Sequence, residues 1–191
     1  EGITLPWHQF RDTSRQYYRV RDRYKYSKNE EQSKPYVQEM AELYLNAMGY
    51  TNRKSVMAQV ADNLTVPVFH EEVRSNGAPL LWAFLCVAGE RDEDILQSYI
   101  YGSSYDEEEY GQTVELCNDD ILAKLFFAGE EAPRFIILLG INQIALIDRN
   151  KWSEKRFLQF NLEDIFSRHS ESTFMAITVL LHKESLCPSD G

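Results

Sequence analysis

The sequence has few cysteines, and none of them lies at a spacing that metal sites use. Cys86, Cys117 and Cys187 are widely separated, with no CxxC pair and no cysteine–histidine pair at ligand spacing. This pattern excludes the usual structural zinc sites. Because the cysteines are odd in number and far apart, we expect them to be free, partly buried thiols of a protein in the reducing cytoplasm.

Long apolar runs are also absent. No run approaches the roughly 18 residues that a membrane-spanning helix needs. The first twenty residues are polar and aromatic, without the apolar centre of a signal peptide. We therefore expect a cytoplasmic location and no membrane partner. Neither a GxGxxG motif nor a P-loop is present, so no glycine-rich phosphate loop is predicted.

Basic residues are outnumbered by acidic ones, 20 against 30, and are concentrated near the N-terminus. The chain of 191 residues carries a net charge of −10, yet Arg11–Lys28 holds seven Lys/Arg and only two Asp. That segment has a local charge of +5, so the remainder carries −15. An acidic total argues against nonspecific binding to nucleic acid over the whole surface. Any nucleic-acid contact is therefore expected at this one segment.

An apolar content of 43% and an aromatic content of 13% indicate one folded domain. In Arg11–Lys28, arginines every four residues favour a helix, whereas alternation over Arg19–Tyr26 favours a strand, and the pattern leaves both open. Ser27–Ser33 is predicted to be a polar linker. We interpret residues 1–33 as a basic and aromatic arm or insertion, and residues 34–191 as the domain.

Apolar spacing predicts the elements of that domain. Helical periodicity starts at Pro35 and ends near Gly49, and Val56–Ala61 is predicted to be another helical turn. Alternating or continuous apolar runs predict strands at Thr65–Val73 and Pro79–Ala88. An exposed acidic loop is predicted at Tyr101–Gly111.

The last third of the chain predicts a helix, a meander and two more helices. The first helix is capped by Asn118 or Asp119, the three meander strands are Phe135–Leu139, Ile144–Ile147 and Arg156–Leu162, and the closing helices start at Leu162 and after Ser172. The order predicts an α/β class, with α+β as the alternative, and a mixed central sheet flanked by helices.

Three segments carry a resemblance to a known family. They read GAPLLWAFLCVAG (77–89), PRFIILLGINQIALIDRNKWSEKRFLQFNLEDIF (133–166) and AITVLLHKESLCPSDG (176–191). They resemble bacterial restriction–modification proteins in which an N-terminal nuclease-like domain precedes an adenine-specific DNA methyltransferase domain in one chain. The resemblance spans roughly residues 36–191. It implies that the chain is a piece of a longer protein, whose S-adenosylmethionine-dependent methyltransferase motif is expected after Gly191.

The resemblance implies a PD-(D/E)xK nuclease-like core, in which an Asp on one strand and Glu-x-Lys on the next hold Mg²⁺. Here the second strand has neither Glu nor Lys, and Cys86-Val87-Ala88 occupies the corresponding place. Thiol and aliphatic groups do not replace oxygen ligands. We therefore expect no catalytic residues, no metal site and no cofactor in these residues, and no Asn-Pro-Pro-aromatic methyltransferase tetrapeptide is present either.

Three functions follow as hypotheses. The first is an accessory domain, degenerate in its nuclease site, that positions duplex DNA or the methyltransferase module of the same chain. The residues predicted to contact its phosphates are Arg11, Arg15, Arg19, Arg21, Arg23 and Lys25. The second is an active Mg²⁺-dependent endonuclease with carboxylates drawn from Glu71, Glu72 and Glu90. The third is a protein-interaction module without DNA contact.

Overall fold

The structure is a computed structural model, which describes residues 5–87, 94–107, 112–113, 115–128 and 131–189. Its α-helices are α1 (Pro6–Asp12), α2 (Ser14–Tyr24), α3 (Glu30–Ala47), α4 (Asn118–Ala128), α5 (Arg149–Trp152), α6 (Leu162–Arg168), α7 (Glu171–Leu181) and α8 (Lys183–Leu186). Its strands are β1 (Val56–Ala61), β2 (Leu64–Val68), β3 (His70–Val73), β4 (Pro79–Val87), β5 (Tyr99–Ile100), β6 (Ser104–Glu107), β7 (Gln112–Thr113), β8 (Phe135–Leu139), β9 (Gln143–Asp148) and β10 (Leu158–Asn161). The predicted mixed α/β class is confirmed.

The larger sheet is built around strand β4. Its order is β10-β9-β8-β4-β3, and the short β5 also pairs with β4. Strands β4 and β8 are parallel, whereas β3–β4, β8–β9 and β9–β10 are antiparallel. Parallel neighbours need a crossover connection, and helix α4 lies in it. The three apolar runs predicted as a meander are confirmed as β8, β9 and β10.

The side chains of β4 divide between two hydrophobic clusters on opposite faces of the sheet. One set packs with α1, α2, α3, α6 and α7: Leu81, Ala83 and Leu85. The intervening set packs with β1, β2 and α4: Trp82, Phe84 and Cys86. Because successive strand residues point to opposite faces, a strand covered on both sides must be apolar throughout. The strand predicted at Pro79–Ala88 is confirmed as far as Val87.

The smaller sheet, of order β1-β2-β6-β7, corrects two predictions. Val56–Ala61 is strand β1 and not a helical turn, because every second residue faces the core and the chain pairs antiparallel with β2. The single strand predicted at Thr65–Val73 is divided at Phe69. The backbone changes partner there: β2 pairs with β1, whereas the Phe69 N–H donates to the Ala83 carbonyl of β4 at 2.8 Å.

The predicted helices are present, with corrected ends. Helix α3 begins at Glu30, inside the predicted linker, because the side chain of Asn29 accepts a hydrogen bond from the Gln32 N–H. Ser170, rather than Ser172, caps α7 through the Thr173 N–H. Within the predicted acidic loop, Ser104–Glu107 forms β6, and residues 108–111 lie outside the described ranges. In the described ranges, no helix has the length and apolarity needed to cross a bilayer.

Helices α1 and α2 bury an aromatic face in the main core. Phe10, Tyr17 and Val20 have no exposed surface. The ring centroids of Phe10 and Tyr17 lie 5.4 and 5.0 Å from that of Phe166 in α6. Of the two conformations left open for the basic segment, the structure has the helix. The described part of residues 1–33 therefore shares one core with residues more than a hundred positions later.

Replacing Phe166 by alanine is expected to lower the free energy of unfolding by about 3–5 kcal/mol, because it removes a fully buried ring from this cluster. The matched control is Phe127→Ala, since Phe127 on α4 is 89% exposed. The control is expected to stay within about 0.5 kcal/mol of the parent protein. Urea unfolding measures both values, and similar losses in the two variants would contradict the core position of Phe166.

Candidate nucleic-acid interface

Helix α2 orients three of the predicted arginines toward solvent. Tyr17 and Val20 are its buried residues. Arg15, Arg19 and Arg23 lie four positions apart on the opposite side, and all three are exposed. We call these three residues the arginine stripe. Four helical residues rise about 6 Å, so the stripe is about 12 Å long.

The arginine stripe is largely free of internal ion pairs. Arg19 approaches Glu39 at 3.5 Å, with side chains that are 58% and 41% exposed. A pair that exposed contributes little and does not hold the guanidinium in place. Arg15 and Arg23 make no ion pair with any residue that the structure describes. The stripe is therefore available to an external anion.

The other predicted contacts lie elsewhere. Arg11 belongs to α1 and pairs with the adjacent Asp12 at 3.0 Å. Arg21 lies on a flank of α2, where only 17% of its side chain is exposed. Its guanidinium is 3.3 Å from the Glu163 carboxylate and 5.2 Å from the centroid of the Tyr18 ring. Arg21 is thus engaged within the molecule, which the spacing of charges along the sequence could not reveal.

Lys25 is the C-cap of α2 and lines a cavity of about 630 Å³. This cavity lies beside the ends of strands β4 and β8, and the connection between α2 and α3 forms one of its walls. Lys28, which was not among the predicted contacts, lines the same cavity. The six predicted residues thus divide into the arginine stripe, Arg11 on α1 with its exposed pair to Asp12, the largely buried Arg21, and Lys25 at the cavity.

The hairpin β3–β4 is the place where the resemblance implies metal ligands. Glu71 and Glu72 are successive residues of β3, so their side chains point to opposite faces. Glu71 accepts a hydrogen bond from Trp82 Nε1 at 2.8 Å and pairs with Lys54 at 2.8 Å. Glu72 contacts different groups, so the two carboxylates do not converge on one point. Glu90, the third carboxylate of the endonuclease hypothesis, lies outside the described residues.

Glu72 belongs to a partly buried network that joins β3 to the C-terminal helix α8. Its Oε1 is 2.9 Å from His70 Nε2 and 2.9 Å from Lys183 Nζ. The Lys54 N–H donates to His70 Nδ1 at 3.2 Å, so Nδ1 holds the lone pair and Nε2 carries the proton. Both ring nitrogens are engaged, which leaves neither free to act as a base. Glu71 and Glu72 are thus both partly buried, with 12% and 17% of their side chains exposed, and each is held by partners within the protein.

Cys86, at the place where Glu-x-Lys would be expected, is fully buried. Burial raises the pKa of its thiol to about 12, and the Asn118 amide opposes this only in part. A thiol of that kind stays protonated at neutral pH, whereas a metal ligand must be a thiolate. Within the ranges that the structure describes, no three His, Cys, Asp or Glu side chains are grouped so as to hold a metal ion.

Comparison of the chain with protein-family models, with curated proteins and with solved structures gives no match.

The stability of the protein is expected to fall between neutral pH and pH 5 partly through His70. Burial lowers the pKa of His70, and the hydrogen bond to Glu72 only partly offsets this. The unfolded chain therefore binds a proton at a pH where the folded chain does not, and stability is lost as pH falls below about 6.5. The change in unfolding free energy between pH 7 and pH 5, measured by urea denaturation, should be smaller in His70→Asn.

His169→Asn is the matched control for this measurement. His169 is exposed and has a left-handed backbone (φ 50°), which asparagine tolerates. We expect this variant to keep the pH dependence of the parent protein. A loss of pH dependence in His169→Asn, or none in His70→Asn, would be inconsistent with the neutral buried state of His70.

Proposed function

We propose that this chain is an accessory domain that contacts duplex DNA through the arginine stripe, and that it belongs to a restriction–modification or DNA methyltransferase protein. The domain would position DNA, or the methyltransferase module of the same chain, without cleaving the DNA. Methyl transfer from S-adenosylmethionine would be carried out by that module, and a cytoplasmic location belongs to the same proposal.

The observation that carries the proposal is the arginine stripe itself. Three exposed cations stand on one face of a helix whose other face is anchored by Tyr17 and Val20. A length of about 12 Å matches three or four nucleotides of one strand, at about 3.4 Å each. Contacts of this kind fix position on the duplex without reading its sequence.

Strand connectivity supports a nuclease-like core for this domain. Helix α3 precedes the antiparallel pair β3–β4, and the crossover helix α4 then leads to β8, parallel to β4. This order agrees with the core that the resemblance implies. The burial of Cys86 and the separate engagement of Glu71 and Glu72 favour a domain without cleavage activity over the Mg²⁺-dependent alternative.

Replacing Arg15, Arg19 and Arg23 together by glutamine is expected to weaken duplex DNA binding and flatten its salt dependence. Each lost phosphate contact should reduce the slope of log K against log salt concentration by about 0.9, so the triple variant should lose about 2 to 3. Fluorescence anisotropy with a labelled duplex, over a series of salt concentrations, measures the slope. The effect should be similar for unrelated DNA sequences.

The control variant removes three positive charges from a different part of the surface. Arg134, Lys151 and Arg156 lie near the start of β8 and the end of β9 and are exposed. Their replacement by glutamine is expected to leave most of the slope in place. If the parent protein shows no salt-dependent binding, or both triple variants lose it equally, the proposal fails. Mg²⁺-dependent cleavage abolished by Glu72→Ala would instead favour the endonuclease alternative.

A further inference from the structure

The cavity beside Lys25 lies where two parallel strands end. Val87 is the last residue of β4, and Asn142 lies in the turn between β8 and β9. The opposite wall is the connection from α2 to α3, which contributes Lys25, Ser27 and Lys28. Its volume of about 630 Å³ lies within the range of about 300–1,000 Å³ found for small-molecule sites.

Asn142 presents an unused donor to this cavity. The residue is 8% exposed, and its Oδ1 accepts a hydrogen bond from the Tyr17 hydroxyl at 2.9 Å. Its backbone carbonyl accepts from the Leu162 N–H. The amide Nδ2 has no hydrogen-bond partner among the described residues. Nδ2 is not one of the fully buried atoms that lack a partner, so solvent reaches this N–H₂ group, and a ligand in the cavity could accept a hydrogen bond from it in place of water.

Other donors line the same wall. Ser27 Oγ is buried and has no hydrogen-bond partner among the described residues. Lys25 and Lys28 are exposed at their ends and form no ion pair in the described part of the chain. Asn29 and Glu30, at the N-terminus of the 18-residue α3, also line the cavity. A helix of that length adds partial positive charge at its start.

Two carboxylates also line the cavity and limit what fits. Glu163 is paired with Arg21 at 3.3 Å, and Glu30 stands in the first turn of α3, where the helix dipole stabilises it. These acids would repel an anion placed against them but accept hydrogen bonds from hydroxyl or amino groups. A ligand with one anionic end and a polar, neutral body therefore suits the lining. The ring of Tyr24, on the same wall, offers a surface for a planar group.

We propose that this cavity binds a nucleotide, with its phosphate held by Lys25, Lys28 and the Nδ2 group of Asn142. Phosphate oxygens accept hydrogen bonds from all three groups, and charge-assisted bonds of this type are strong. The nucleotide is either free or the 5′-phosphorylated end of a strand. In the second case the inference rests on the proposed function, although it uses residues outside the arginine stripe.

The test measures binding of four probes to the whole chain by isothermal titration calorimetry. The probes are adenosine 5′-monophosphate, a single-stranded DNA decamer with a 5′-phosphate, the same decamer without it, and inorganic phosphate. We expect the parent protein to bind at least one of the first two. Lys28→Ala and Asn142→Asp should each weaken that binding about tenfold or more, because each removes a donor to a charged group.

The variants are chosen so that loss of folding is not mistaken for loss of the site. Lys28 is exposed, so its replacement should leave the fold intact. Asn142→Asp keeps an oxygen for the Tyr17 hydroxyl, but it adds a negative charge as well as removing the donor, so its unfolding free energy is measured together with its affinity. Lys34→Ala removes an equally exposed lysine on α3 that does not line the cavity, and it should leave affinity unchanged.

The outcomes separate this inference from the proposed function. A free nucleotide is supported if adenosine 5′-monophosphate binds and Lys28→Ala weakens this binding. The triple glutamine variant of the arginine stripe should then bind it as the parent protein does. Binding of the phosphorylated decamer alone, with the same sensitivity, supports a strand end. The inference is overturned if neither adenosine 5′-monophosphate nor the phosphorylated decamer binds, or if Lys34→Ala weakens binding as much as Lys28→Ala, even where duplex binding through the arginine stripe persists.

Discussion

Strand β4 must be covered on both faces, and the arrangement of the described elements follows from that requirement. Its side chains alternate between two clusters, one under the helices and one under the smaller sheet and α4. Burying only one face would leave a row of large apolar side chains in water, at a cost of roughly 25 cal/mol per Å². The parallel partner β8 and the antiparallel partner β3 then complete the hydrogen bonds of the central strand.

The need to cover both faces of β4 also determines the position of helix α2. On the helical face of the sheet, Phe10 and Tyr17 close the core against Phe166, and the Tyr17 hydroxyl reaches Asn142 at the turn between β8 and β9. Anchoring α2 by this face directs Arg15, Arg19 and Arg23 to solvent and sets the α2–α3 connection beside the strand ends. The arginine stripe and the cavity are therefore two consequences of one packing contact.

The hairpin β3–β4 is stabilised by polar contacts in place of converging carboxylates. His70, Glu72 and Lys183 form one network, and Glu71, Trp82 and Lys54 form another on the opposite face. Each carboxylate is matched by a cation or donor, which meets the desolvation cost of partial burial. The networks tie the hairpin to Lys54, which lies just before β1, and to Lys183 of the C-terminal helix α8.

The sequence by itself determined the elements whose signal is local. The continuous apolar run of β4, the meander β8–β10 and the periodic face of α3 are as predicted, because strand and helix periodicities follow from backbone geometry alone. It also located the concentration of positive charge at Arg11–Lys28. Only the tertiary structure decided which of these charges are free, because Arg21 meets Glu163, and Lys25 joins Asn142 at one cavity, across more than a hundred residues. The fold also decided that the backbone changes partner at Phe69 and that Glu72 pairs with Lys183. Both contacts depend on which groups the fold brings close together, and the spacing of residues along the chain does not contain that information.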